Sequence, residues 1–103
     1  MATQLELSTR RSPDGTPVVA AVGEIDMSNA GQFRDALGLA APEGGRFVVD
    51  LTGVGYLDSA GINALFAHAS RIQLIASPLL APVLTVSGLS DITSVQELSL
   101  IHI

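Results

Sequence analysis

Hydrophobic positions along the chain change period several times, and each change predicts an element. Residues 4–10, "QLELSTR", alternate, with Leu5 and Leu7 on one face and Glu6 and Ser8 on the other, the period of a half-exposed strand. "SPDGT" follows, where Pro13 presets φ and Gly15 accepts positive φ, so a turn joins this strand to the next as a hairpin. "PVVAAVGEI" (17–25) is apolar on both faces, as a central strand is. Ser28 or Asn29 then offers an N-cap, and Phe33, Ala36, Leu37 and Ala40 form one helical stripe. "RFVVDL" (46–51) reads as a second central strand, and "TGVGY" (52–56) as a loop with two glycines. From Ser59 the period is helical again: Ile62, Leu65, Phe66, Ala69 and Ile72 share one face, while Asn63, Ala67 and Ser70 continue the line of Ser59 along another. "QLIA" (73–76) is the next strand. Ser77 and Pro78 read as an N-cap followed by Pro at the first helical position. That helix is expected to turn Leu79, Val83 and Val86 inward, to leave Leu80 and Leu84 nearer the surface, and to end at Gly88. "SDITSVQ" opens a last strand, with Ile92 and Val95 as its apolar positions.

Strand alternating with helix implies parallel pairing through right-handed crossovers, and the first hairpin adds one antiparallel edge. The fold class is therefore α/β: a small mixed β-sheet, mostly parallel with one antiparallel edge strand, and α-helices packed on it. Working loops in such sheets gather at the carboxyl ends of the strands. Two acidic loops should meet there, "GEIDMSN" after the second strand and "GYLDSAG" after the third.

Composition narrows the function. A chain of 103 residues suggests one domain. The absence of Cys removes disulfides, thiol catalysis and Cys-based zinc sites. A net charge of −5 with few aromatics argues against nucleic acid as a direct partner, since such binders need a basic footprint. Residues 72–90 carry no charge and approach the ~20 residues of a spanning helix. Pro78, Pro82 and Gly88 interrupt them, so a strand feeding a helix is expected and no membrane span. The N-terminus alternates and has no secretory pattern, which points to the cytoplasm. The last six residues, "LSLIHI", can be back-translated as CTG TCT CTT ATA CAC ATC, which matches the end of a transposase-based sequencing adaptor. Residues 98–103 are therefore expected to be a non-native tail, and residues 1–97 a domain truncated at its C-terminus.

The small hydroxyl of Ser59, at the mouth of a helix, admits three readings: helix cap, nucleophile or phosphate acceptor. A hydrolase elbow needs G-x-S-x-G, and Leu57-Asp58-Ser59-Ala60-Gly61 lacks the first glycine. His68 lies nine residues on, too far along for direct contact, and His102 falls in the tail. Asp26, Asp50 and Asp58 have no diagnostic metal spacing, and no cofactor is expected. A phosphate at a helix N-terminus meets unsatisfied N–H groups. Local sequence alone favours the cap, because Ser is a preferred N-cap residue.

The order strand, strand, "GEID", helix, "VVDLTGVGYLDSAG", helix, strand, helix, "GLSDI", strand resembles the STAS domain, and within it the bacterial anti-sigma factor antagonists, over about residues 4–97. The resemblance implies a non-enzymatic binding module whose unphosphorylated form sequesters a serine-kinase anti-sigma factor and so frees the sigma factor. Phosphorylation by that same partner breaks the complex. The family's acceptor falls on Ser59, its first-loop aspartate on Asp26, and the aspartate before the acceptor on Asp58. Asp26, Asp58, Ser59, Gly61 and Asn63 are the expected partner-binding residues, and a homodimer is a further association to consider. Two departures stand out. "HASRIQLIA" has no glycine turn, so the second helix should end early, near Ala69 or Ser70, and the family's final helix is missing, which should expose an apolar strip. A cytoplasmic STAS component of a lipid or anion transport system is the alternative on the same fold, and a serine hydrolase comes last.

Overall fold

The structure, a computed structural model, describes residues 4–40, 44–89 and 93–97. Its elements run β1 (Leu5–Arg11), β2 (Pro17–Ile25), α1 (Ala30–Ala40), β3 (Phe47–Leu57), α2 (Ser59–Phe66), a 3₁₀ turn (Ala69–Arg71), β4 (Ile72–Ala76), α3 (Ala81–Val86) and β5 (Ser94–Glu97). The five strands form one sheet in sequence order. β1 pairs antiparallel with β2, Leu5 opposite Gly23 through Arg11 opposite Pro17. The pairs β2–β3, β3–β4 and β4–β5 are parallel. This is the mixed sheet expected from the alternation of strand and helix.

The hairpin turn follows from its residues. Gly15 N–H donates to the Ser12 carbonyl at 2.9 Å, and Gly15 sits at φ +89. Pro13 occupies the second turn position, where its fixed φ is already correct. The Asp14 carboxylate accepts from the Ser12 hydroxyl and from Thr16 N–H, and these bonds hold its pKa down at about 2.

Alternation along the strands then divides the sheet into two faces. Val19, Ala21, Val49, Leu51, Leu74 and Ala76 are buried in one core with Phe33 and Leu37 of α1, Leu65 of α2 and Leu84 of α3. The opposite face is more open. There Arg10 pairs with Asp50 at 3.5 Å, and Asp50 also accepts from Thr52 N–H and from its hydroxyl. Burial alone would raise the Asp50 pKa, but the Thr52 bonds and Arg10 outweigh it and leave the group below its usual value.

Four expectations need correction. "TGVGY" is not a loop: β3 continues through it to Leu57, paired with β2 from Val22 opposite Gly53 to Ile25 opposite Leu57. Gly53 serves close approach rather than turning, since a Cβ there would come within 2.9 Å of Val22 Cγ2, whereas a Cβ on Gly55 would stand in open space. Second, α3 is inverted: Leu80 and Leu84 are buried at 3% and 0%, whereas Leu79, Val83 and Val86 are exposed at 65%, 38% and 88%. Third, the helix begins at Ala81, with Leu80 as N-cap and Pro82 in the first turn. The Ser77 carbonyl, not its hydroxyl, accepts from Leu80 and Ala81 N–H, so Pro78 lies in the turn before the helix. Fourth, α2 stops earlier than expected, at Phe66, and the 3₁₀ turn carries the chain into β4. Phe66 consequently sits at the rim, 37% exposed. Gly88, at φ +90 with its N–H on the Thr85 carbonyl, closes α3 as predicted. Ile92 and the 98–103 tail lie outside the described residues. Among the described residues no helix is long and apolar enough to cross a membrane.

Candidate functional site

Ile25 and Leu57 are register partners at the carboxyl ends of β2 and β3, so the two acidic loops start side by side. Asp58 N–H donates to the Ile25 carbonyl at 3.2 Å and ties the loops together. Asp26 and Asp58 therefore follow adjacent strand ends, at the same end of the sheet as Ser59.

The first loop is built on its own polar groups. Asp26 Oδ1 accepts from Ser28 N–H at 2.8 Å and from the Ser28 hydroxyl at 2.6 Å. The Asp26 carbonyl accepts from Ala30 N–H at 2.8 Å and so opens α1. Asn29, buried at 7% exposure, reaches back: its Oδ1 accepts from Asp26 N–H and its Nδ2 donates to the Glu24 carbonyl. Gly23 bends the strand into the loop. It adopts φ +120 at a register shift, and a Cβ there would meet the Gln4 carbonyl oxygen at 2.3 Å. Only glycine fits such a bulge. Sequence reasoning quoted "GEID" but missed the work of Gly23, and treated Asn29 only as a candidate cap. A glycine inside an otherwise apolar strand was the available signal.

The second loop shows which residue caps α2. Asp58, in an extended conformation, is the N-cap of α2, and its carboxylate accepts from Ala60 N–H at 2.9 Å and Gly61 N–H at 3.3 Å. Ser59 is thus the first helical residue and exposed, with no hydrogen bond to its hydroxyl among the described residues. Asn63, one turn on, is exposed on the same side. Gly61 is buried instead, where a Cβ would lie 2.4 Å from Leu57 Cδ1 and 2.8 Å from Ile25 Cγ2. It lets α2 settle onto the strand ends, so its effect on the surface is indirect. Met27, 82% exposed, and Tyr56, 50% exposed, flank the loops, and of the two the sequence reading did not single out Met27.

His68 stands at the other end of β3, edge-on to Phe47 with ring centroids 6.4 Å apart. Ser59 follows the last residue of that strand, so the imidazole is no base for it. Burial, then the charges of Arg71 and Arg34, hold the His68 pKa below its ordinary value. Among the described residues no three His, Cys, Asp or Glu side chains form a metal-ligand group.

Charge is segregated. Arg10, Arg11, Arg46 and Arg71 lie at or beside the strand ends opposite Ser59, and Arg34 lies on α1. These are all the Lys and Arg residues of the chain.

A family model described as "Mlab, STAS domain" matches residues 8–98. No curated protein matches the chain. Among solved structures, an anti-sigma factor antagonist from Mycobacterium paratuberculosis is 25% identical, with a TM-score of 0.81 over 90% of this chain and 86% of that one. The anti-sigma factor antagonist SpoIIAA, solved in its unphosphorylated form, is also 25% identical, with a TM-score of 0.61 over 98% and 90%. A Thermotoga maritima protein at 15% identity shares the fold, with a TM-score of 0.67 over 89% and 86%.

Proposed function

The chain belongs to the STAS domain family, and on that premise we propose that it is an anti-sigma factor antagonist. In this reading it is a cytoplasmic binding module, not an enzyme. Its unphosphorylated form binds a serine-kinase anti-sigma factor, and phosphorylation of Ser59 ends the complex. The observation that carries the reading is the division of labour at α2: Asp58 caps the helix, which leaves the Ser59 hydroxyl exposed and without a structural task. Likeness to two anti-sigma factor antagonists supports the same partner class.

In the transfer, Ser59 Oγ forms a bond to the γ-phosphorus of ATP, the bond to ADP breaks, and the hydroxyl proton leaves to a base or water on the kinase side. The product carries about −1.5 to −2 charge at neutral pH. It sits beside the Asp58 carboxylate, which already takes the Ala60 and Gly61 N–H groups. The arginines at the far strand ends bring no counter-charge to it.

Incubation with the anti-sigma kinase and ATP, followed by peptide mapping, tests this. Phosphate is expected on Ser59 and on no residue of Ser59→Ala. Phosphate confined to another residue would overturn the Ser59 switch, and a transporter ATPase as the bound partner with Ser59 unmodified would move the chain to the transport alternative.

A further inference from the structure

β1 is an edge of the sheet, with β2 as its strand neighbour. The ladder between them decides which of its backbone groups stay open. Glu24 N–H donates to the Gln4 carbonyl at 3.0 Å, and Ser12 N–H donates to the Thr16 carbonyl at 2.9 Å. Both bonds continue the register in which Leu5 faces Gly23 and Arg11 faces Pro17. Residues turned to the partner strand alternate in an antiparallel ladder. Even-numbered residues of β1 therefore bond to β2, and Leu5, Leu7, Thr9 and Arg11 point their N–H and C=O groups outward. Such a row is a template for another strand, and proteins usually blunt it with charge. Glu6, Arg10 and Arg11 are the charges here, all exposed.

Their spacing turns the blunting into a match. A second β1 laid antiparallel on the first must set odd residues opposite odd ones, because only these have groups to exchange. Centring the pair on Ser8 meets this condition: Leu7 faces Thr9 of the second copy, and Leu5 faces its Arg11. The residues between form the closer, non-hydrogen-bonded pairs, Ser8 against Ser8 and Glu6 against Arg10 in both directions. Neighbouring two-fold registers lose this. Centred on Leu7, Glu6 meets Ser8, and centred on Thr9, Arg10 meets Ser8. Centred on Glu6 or on Arg10, like charges meet. Arg10 lies 3.5 Å from Asp50, and its guanidinium has donors for a second carboxylate.

A separate observation is apolar. Leu5 and Leu7 are half-buried and pack on the core from the helix side of the sheet. Beside them a cleft of about 450 Å³ is lined by Leu7, Thr9, Val19, Ala36 and Leu39, and Leu39 is 77% exposed. Opposed residues of paired strands share a face. Leu7 of a second copy would therefore stand beside Thr9 on the side where Leu39 projects.

We propose that β1 pairs antiparallel with β1 of a second copy about a two-fold axis at Ser8, which joins the two sheets into one. The interface is isologous and closes at two chains. It does not depend on the function proposed above, but it bears on it. β2 and its counterpart run in opposite directions, so the two Ser59 loops stand at opposite ends of the joined sheet. Ser59 follows β3, away from the β1 edge, and both copies keep it open.

The test uses the full chain, which has no native Cys. Ser8→Cys puts one thiol per chain at the axis, where paired Cα atoms stand about 4.5 Å apart, within disulfide range. With oxidised glutathione it is expected to form a covalent dimer at least about tenfold faster than Leu79→Cys, an exposed site outside β1, because pairing raises the effective concentration. Glu6→Cys alone should not cross-link, since its two copies stand about 14 Å apart along the strands. Mixed with Arg10→Cys it should. Sedimentation of the wild-type chain should show a concentration-dependent dimer, which Glu6→Arg weakens about tenfold or more by setting like charges opposite each other twice. Tm and circular dichroism check each fold, and Ser8→Cys keeps the test decisive if Glu6→Arg disturbs β1. A wild-type chain that stays monomeric at its highest soluble concentration, or Ser8→Cys no faster than Leu79→Cys, would overturn the proposal. Efficient cross-linking of Glu6→Cys with itself would assign another register and overturn it as well. So would a dimer that folded Glu6→Arg leaves intact. The Ser59 switch is read by kinase binding and stands or falls separately.

Discussion

Gly61 carries no side chain because α2 rests on Leu57 and Ile25 at that point. Adding one methyl puts a carbon 2.4 Å from Leu57 Cδ1 and 2.8 Å from Ile25 Cγ2. The leucine tip can swing away, but the β-branched isoleucine is stiff. Gly61→Ala should therefore cost about 1–3 kcal/mol in chemical denaturation, the usual cost of overpacking. An unchanged denaturation midpoint would show that the helix shifts freely. His68 yields a second prediction. Its pKa is lowered from 6.5 in the folded state, by burial first and then by Arg71 and Arg34. The unfolded chain takes the proton first as pH falls, so stability drops from about pH 6.5 downward and levels off below the folded pKa. Asp50, lowered from 3.8, gives its stability above that value and loses it only in stronger acid. Between pH 7 and 5 the wild-type Tm should thus fall more than that of His68→Gln, and parallel curves would contradict the assignment. At this scale the sequence placed Ser59 correctly at the helix mouth but could not say which residue caps it. Asp and Ser are near-equal caps, and the difference is a one-residue shift that only the backbone of Asp58 decides.

The elements divide into those whose pattern has one solution and those with two. β1 and α1 each have one apolar set and β2 is one run apolar on both faces, and these formed as read, while β4 also takes Ile72, which the period had placed on α2. α3 is apolar nearly all round, so Leu79, Val83 and Val86 or Leu80 and Leu84 would serve equally as a core stripe. Period alone cannot choose between them. Starting the helix at Ala81 rather than Pro78 settles the matter for Leu80 and Leu84. Leu84→Ala should therefore cost about 2–5 kcal/mol, as buried leucines do, and Val86→Ala within about 0.5 kcal/mol, as exposed positions do. Comparable losses in denaturation would place both side chains in one environment and contradict the inversion. The end of β3 was misread for a different reason. Two glycines in five residues look like a loop, but pairing with β2 along the whole run outweighs their weak strand preference.

Across the whole molecule, the sheet sets the site. Parallel strands bring the two acidic loops to one end, and the arginines end up at the other or on α1. The meeting of the two loops was legible from strand order alone, whereas the placing of the arginines was not called and the roles of Gly23, Asn29 and Met27 depend on a bulge, a loop fold and an exposure that no periodicity encodes. A phosphate on Ser59 would add its charge to the end that already holds Asp58 and Asp26, and burying it against a partner without a cation costs several kcal/mol by the general rule for unpaired charges. Since each ~1.4 kcal/mol is a tenfold change, binding should weaken by about two orders of magnitude or more. The direct measurement is the affinity of the anti-sigma kinase for the unmodified chain and for the chain stoichiometrically phosphorylated at Ser59, under one buffer. A loss of at least about 100-fold on phosphorylation, with Ser59→Ala binding as the unmodified chain does, is the result expected. Equal affinity of the two forms would contradict the account.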